Sequence, residues 1–152
     1  MKTIGIFLVS LVFTLTSFAQ ESEFTKMMRQ MYQDEFVEVV NENMNLSPEQ
    51  NEVFKPIFDE FIGELIPIMD AKLINQGKFS EYFKNMTDEQ VNEVLKNIWT
   101  NSKNYDKVLK KYTNKVSKAI SPQTGFRFFL IVQKISTNFE FSVIQNVPLV
   151  EN

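Results

Sequence analysis

The sequence predicts an all-α protein, an elongated arrangement of four helices and one short helical turn with no sheet, forming a cradle or a bent helical hairpin. Three observations carry this. Apolar residues recur at a spacing of three and four along three segments and crowd a fourth, no segment alternates at period two, and a helix-start signal stands ahead of three of these four segments.

The elements follow in chain order. Residues 1–19 read as a secretory leader: basic Lys2, an apolar run from 4 to about 13, and a small-residue cleavage site at Ser17-Phe18-Ala19. Cleavage would leave a single helical domain over 20–152 with no stable membrane insertion, since that run is too short and too interrupted by Thr14, Thr16 and Ser17 to span a bilayer. Helix one begins at Phe24, with apolar positions 24, 27, 28, 31, 32, 36, 39 and 40, and ends near Asn43. Helix two starts at Ser47, continues through Phe54, Ile57, Phe58, Phe61, Leu65, Ile68, Met69 and Leu73, and stops at Asn75, Gln76 and Gly77. Pro56 and Pro67 inside it remove backbone donors and predict a bend. Residues 78–84 form the short turn. Helix three runs from Thr87 toward Ala119 on a heptad-like stripe (91, 94, 95, 98, 105, 109, 112, 116 and 120), which at ~1.5 Å per residue is roughly 45 to 50 Å long. A helix of that length requires neighbours laid along it rather than a compact ball. Ser121-Pro122 opens helix four, which ends at Asn146 before Pro148.

Composition removes most chemistry. The chain of 152 residues has no cysteine and no histidine, so disulfides, a lipid-bearing cysteine, thiol and histidine metal ligands, thiol nucleophiles and histidine-based triads are all excluded. Its four glycines lie in no phosphate-cradling cluster. The expectation is a non-enzyme without a cofactor.

Residues 46–50, LSPEQ, and 86–90, MTDEQ, state the same phrase twice. Ser47 and Thr87 can each accept from a backbone N–H three residues on, while Gln50 and Gln90 reach back to the cap residue's own N–H, so both are capping boxes. Leu46-Ser47-Pro48-Glu49-Gln50 and Met86-Thr87-Asp88-Glu89-Gln90 resemble the paired Leu-Thr-x-x-Gln motifs of the Spy/CpxP family of exported helical proteins. Phe54-Lys55-Pro56-Ile57-Phe58, Arg127-Phe128-Phe129 and Val147-Pro148-Leu149-Val150 extend the likeness over most of the mature chain. Ser47 and Met86 stand where the family has Thr and Leu. The resemblance implies a cradle-like protein, often a dimer, that binds unfolded or misfolded proteins of the envelope without ATP. Some relatives instead regulate envelope-stress or metal-response signalling through a sensor protein.

The residues themselves offer several candidate sites. Met27, Met28 and Met31 place thioethers on one helical turn, suited either to a soft ion or to adaptable apolar packing. Asp34, Glu35, Glu38 and Glu42 form an acidic row whose spacing fits a solvated face. Charge is divided along the chain: residues 20–70 hold three basic against twelve acidic side chains (net −9), and residues 71–152 hold twelve against seven (net +5). The basic excess lies on helix three, where Lys103, Lys107, Lys110, Lys111, Lys115 and Lys118 are candidate client-binding residues, or else partners of the acidic first helices. Nucleic acid is excluded as a partner by the net acidity of an exported chain. Helix four has almost no polar face around Phe126, Phe128, Phe129 and Val132, which are candidate contacts for a second copy or a client. The function predicted is ATP-independent binding of unfolded proteins in the periplasm, as part of a stress response; the alternative is a periplasmic regulator or sensor.

Overall fold

The computed structural model describes residues 23–144, apart from the side chains at 23–25, 27, 28, 31, 32, 80–82, 139 and 141–144. The leader expected at 1–19, the last residues of helix four and the segment 147–150 therefore lie outside the described residues. Four helices make up the fold: α1 (Glu23–Met44), α2 (Pro48–Tyr82), α3 (Asp88–Ala119) and α4 (Pro122–Ile144). No strand occurs among the described residues. The fold is all-α.

Three of the helix starts are built as their residues dictate. Ser47 Oγ accepts from the Gln50 N–H at 3.3 Å while Gln50 Oε1 accepts from the Ser47 N–H at 3.0 Å. The same reciprocal pair joins Thr87 and Gln90 at 3.3 and 2.9 Å. Ser121 Oγ, the third start, accepts from the Thr124 N–H at 3.1 Å. The end of α1 is equally specific. Asn45 takes a left-handed conformation (φ 52°), which asparagine tolerates better than most residues, and Arg127 of α4 donates to the Met44 carbonyl at 3.3 Å. A guanidinium there also complements the negative end of the helix dipole.

The expected stop at Asn75-Gln76-Gly77 does not occur. Helix α2 continues to Tyr82 and absorbs the separate turn predicted over 78–84. The reason is tertiary. Asn75 is buried, donates to the Val94 carbonyl at 3.4 Å and accepts from the Asn97 amide at 3.3 Å, so its side chain serves α3 instead of competing for its own backbone. Gly77 has no positive φ and acts as an ordinary helical residue. Pro56 and Pro67 sit on the exposed side of α2, where water can satisfy the carbonyls of Glu52 and Gly63 left without a donor; both of those residues are exposed.

Neighbouring helices run antiparallel and contact one another in a ring: α1 with α2, α2 with α3, α3 with α4, and α4 with α1. The core gathers Phe36, Val40 and Met44 from α1, Phe54, Phe58, Phe61 and Leu65 from α2, Leu109, Tyr112 and Val116 from α3, and Phe128 and Val132 from α4. Phe61 is its hub. Its ring centroid lies 6.0 Å from Phe36, 5.5 Å from Tyr112 and 5.1 Å from Phe128, one aromatic from each of the other helices.

The helices are unequal, and this shapes the molecule. At ~1.5 Å per residue the 35 residues of α2 and 32 of α3 span roughly 50 Å, against roughly 34 Å for the 22 of α1 and 23 of α4. The shorter pair covers one end of the longer pair. Every buried residue of α3 accordingly falls in its second half, from Val108 onward.

Candidate functional site

Where the short helices run out, the α2–α3 hairpin is open. A groove of about 610 Å³ lies there, between the second half of α2, the first half of α3 and the last turns of α4. That volume is within the range of natural ligand sites. Its walls are mainly apolar: Ile68 and Phe79 from α2, Val91, Val94, Leu95 and Ile98 from α3. Leu95 and Ile98 remain 38% and 46% exposed, so the groove withholds apolar surface from water only in part. Met86 and Val91 both line it, at the positions flanking the Thr87 cap that form a hydrophobic staple. The second capping box therefore builds one wall of the site as well as starting a helix. Leu46, its counterpart in the first box, packs against the core instead.

Polar groups frame the groove. Lys72 and Glu140 pair across it at 2.5 Å, and the Tyr105 and Ser136 hydroxyls bond at 2.6 Å within its lining, while Lys78 and Glu93, outside the lining, join α2 to α3 at 3.2 Å. Burial pushes the Tyr105 phenol up to about 12, with the Ser136 hydroxyl acting in the opposite direction. The phenol stays protonated and is a fixed hydrogen-bonding group at neutral pH. Nothing in this arrangement activates a nucleophile or a base. Among the described residues no cluster of three or more His, Cys, Asp or Glu could hold a metal ion. The acidic row Asp34, Glu35, Glu38 and Glu42 is exposed, with Gln30 donating to both oxygens of Asp34 at 2.9 and 3.0 Å. The Met27, Met28 and Met31 side chains lie outside the described residues.

The lysine stripe divides into two groups. Lys111 pairs with Glu64 and Lys115 with Glu60, each at 2.5 Å, fastening α3 to α2. The Tyr112 hydroxyl donates to the same Glu64 carboxylate at 2.8 Å, and both lysine ammoniums lie over its ring, at 4.9 and 5.8 Å. The Lys111 ammonium first, and the Tyr112 hydroxyl second, hold the Glu64 carboxyl below its usual range. These two lysines are internal partners of an acidic helix, as the charge division allowed. Lys103, Lys107, Lys110 and Lys118 are exposed and make no ion pair among the described residues.

Two of the four aromatic and aliphatic candidates on helix four need correction. Phe128 and Val132 have no exposed surface because they fill this chain's own core, so neither can reach a second copy or a client. Phe129 is half-buried against that core, while Phe126 is 60% exposed and stacks on Phe129 at 6.4 Å. Sequence reasoning missed the groove itself. Leu95 and Ile98 look like any core-facing positions of a helix; the signal that marks them is the excess length of helices two and three over one and four.

No family model, no curated protein and no solved structure matches the chain. No helix among the described residues is long and apolar enough to cross a membrane.

Proposed function

We propose that this is an exported, periplasmic protein that binds unfolded or aggregation-prone polypeptide without ATP, holding apolar client segments in the groove between α2 and α3. One observation carries the reading: an apolar groove of about 610 Å³ that the chain's described helices leave uncovered, beside a core that is otherwise closed. Burial of client side chains supplies a non-directional attraction suited to varied sequences. Gln76, Asn101 and Gln133 along the groove offer amides to a client's backbone. Lys103, Lys107, Lys110 and Lys118, exposed and without an ion pair among the described residues, add long-range attraction for acidic chains. The paired Leu-Thr-x-x-Gln-like phrases and the leader-like first nineteen residues support the same assignment.

The test is aggregation of an unrelated, chemically unfolded protein followed by light scattering without nucleotide. The wild-type protein is expected to suppress the rise, and a Leu95→Asp, Ile98→Asp double variant, altered at two partly exposed positions, to lose most of that effect while keeping its helical content. Equal suppression by both proteins would place client binding elsewhere. No suppression by either would refute the reading.

A further inference from the structure

We infer that the groove is the docking site of the chain's own C-terminal segment, residues 145–150, which competes there with any polypeptide from outside. The register of the bundle leads to this. The Tyr105–Ser136 hydrogen bond fixes the pairing of antiparallel α3 and α4, and equal steps from it bring Ile144, the end of α4, level with Asn97. The Lys72–Glu140 pair likewise brings that end level with Gln76 of α2. Past this point α2 continues to Tyr82 and α3 reaches back to Asp88, with Phe79, Met86, Val91 and Val94 facing the groove. The chain thus leaves α4 at the mouth of the groove, one turn after Glu140, which is itself part of the lining.

The segment that leaves is Gln145-Asn146-Val147-Pro148-Leu149-Val150. Pro148 cannot donate to a helical backbone, and it biases Val147 toward extended geometry. Reach is sufficient. Five residues at ~3.3 Å carry an extended chain roughly 16 Å to Leu149, while the ten helical residues from Asn97 to Thr87 span roughly 15 Å. Three apolar side chains, Val147, Leu149 and Val150, are thereby supplied to a stretch of apolar wall of matching length. Tethering at the rim gives them a millimolar effective concentration. The docked segment would work as a built-in competitor, so that groove access is regulated by displacement; this consequence for clients rests on the proposed function, whereas the docking does not.

Because the chain has no cysteine, introduced thiols report docking without interference. Leu149→Cys is combined with Val91→Cys in the groove wall, or with Lys96→Cys, exposed on the same stretch of α3 but outside the lining. Under mild oxidation of the full chain, the Val91 pairing is expected to form an intramolecular disulfide at least about tenfold faster than the Lys96 pairing, as a seated segment at millimolar effective concentration requires. Equal rates would show a segment without a seat. Disulfide-linked dimers would show a second copy in the groove, and either result overturns the inference. As a second readout, deletion of 145–152 should raise bis-ANS fluorescence, and the free peptide QNVPLVEN should lower it again; unchanged fluorescence on deletion would count against docking. Neither readout involves a client, so failure here is separate from failure of the aggregation assay.

Discussion

Phe61 of α2 and Phe128 of α4 meet edge to face, their ring centroids 5.1 Å apart and their planes at 81°. Together with the contacts of Phe128 on Phe54 and Phe58 and the Lys72–Glu140 pair, it ties the two diagonal helices of the ring together. Phe36 of α1 and Tyr112 of α3 complete the set around Phe61, so all four helices depend on one side chain. Phe61→Ala would remove a buried ring and leave a cavity at that junction, at a cost of about 3–5 kcal/mol. Chemical denaturation should show a large fall in midpoint. Phe126→Ala, at a 60% exposed position, should leave the midpoint nearly unchanged. Comparable losses at both positions would mean that Phe126 is covered in solution.

At Gly125, α4 lies close against α3. A methyl group built on it would lie 1.9 Å from Ser117 Oγ and 2.8 Å from the Thr113 carbonyl oxygen. The hydroxyl can rotate away; the backbone oxygen cannot. Gly125→Ala should therefore lower stability by about 1–3 kcal/mol through overpacking, despite alanine's better helix propensity. Adding Ser117→Gly should recover only part of this, since the carbonyl contact remains. Thermal melts of the single and double variants decide between the two contacts.

Much of this fold is legible in the sequence because its signals are local. The caps at Ser47, Thr87 and Ser121 are complete within four residues, and the apolar stripes identify Phe54, Phe58, Phe61, Tyr112 and Val116 as inward-facing. Asn75 was unreadable for the opposite reason. An asparagine ahead of a glycine is a stop signal by local chemistry, and only its buried contacts with Val94 and Asn97 convert it into a helix-pairing residue. Helix four was misleading in the same way. Its apolar surround predicts an external partner, yet Phe128 packs on Phe61, Phe54 and Phe58 and Val132 is buried in the same core of this chain.

Tyr105 should give the protein an alkaline limit. Its phenol ionises at about 12 when folded against an ordinary value of 10.0, because burial disfavours the phenolate. The folded state keeps its proton where the unfolded state has lost it, so this contribution is full below about pH 10 and is lost as pH rises toward 12. Two pKa steps amount to at most about 2–3 kcal/mol. Tyr105→Phe should flatten the decline in unfolding free energy over that interval, though not abolish it, since burial and the Glu64 carboxylate also push the Tyr112 phenol up. Spectrophotometric titration of the wild type should find one tyrosine ionising near 12; a variant retaining the full alkaline slope would assign that slope to Tyr112.

The lysines of α3 admit a test that separates fastening from capture. Lys111 and Lys115 are held by Glu64 and Glu60, whereas Lys103, Lys107, Lys110 and Lys118 are exposed without ion pairs among the described residues. Changing Lys111 and Lys115 to Gln should lower the melting temperature slightly and leave client capture intact, because the charges removed are already neutralised by their partners. Changing the other four to Gln should do the reverse: stability is kept, and capture of an acidic unfolded polypeptide slows. Wild-type capture should also weaken with salt, since surface fields are screened within about 10 Å at ~0.1 M ionic strength, and the quadruple variant should lose most of that dependence. If capture by the quadruple variant matches the wild type at every salt concentration, charge steering is ruled out and apolar burial in the groove alone must account for binding. That outcome would place the selectivity of the protein in Leu95, Ile98 and their neighbours, where only the side-chain volume and hydrophobicity of a client could be read.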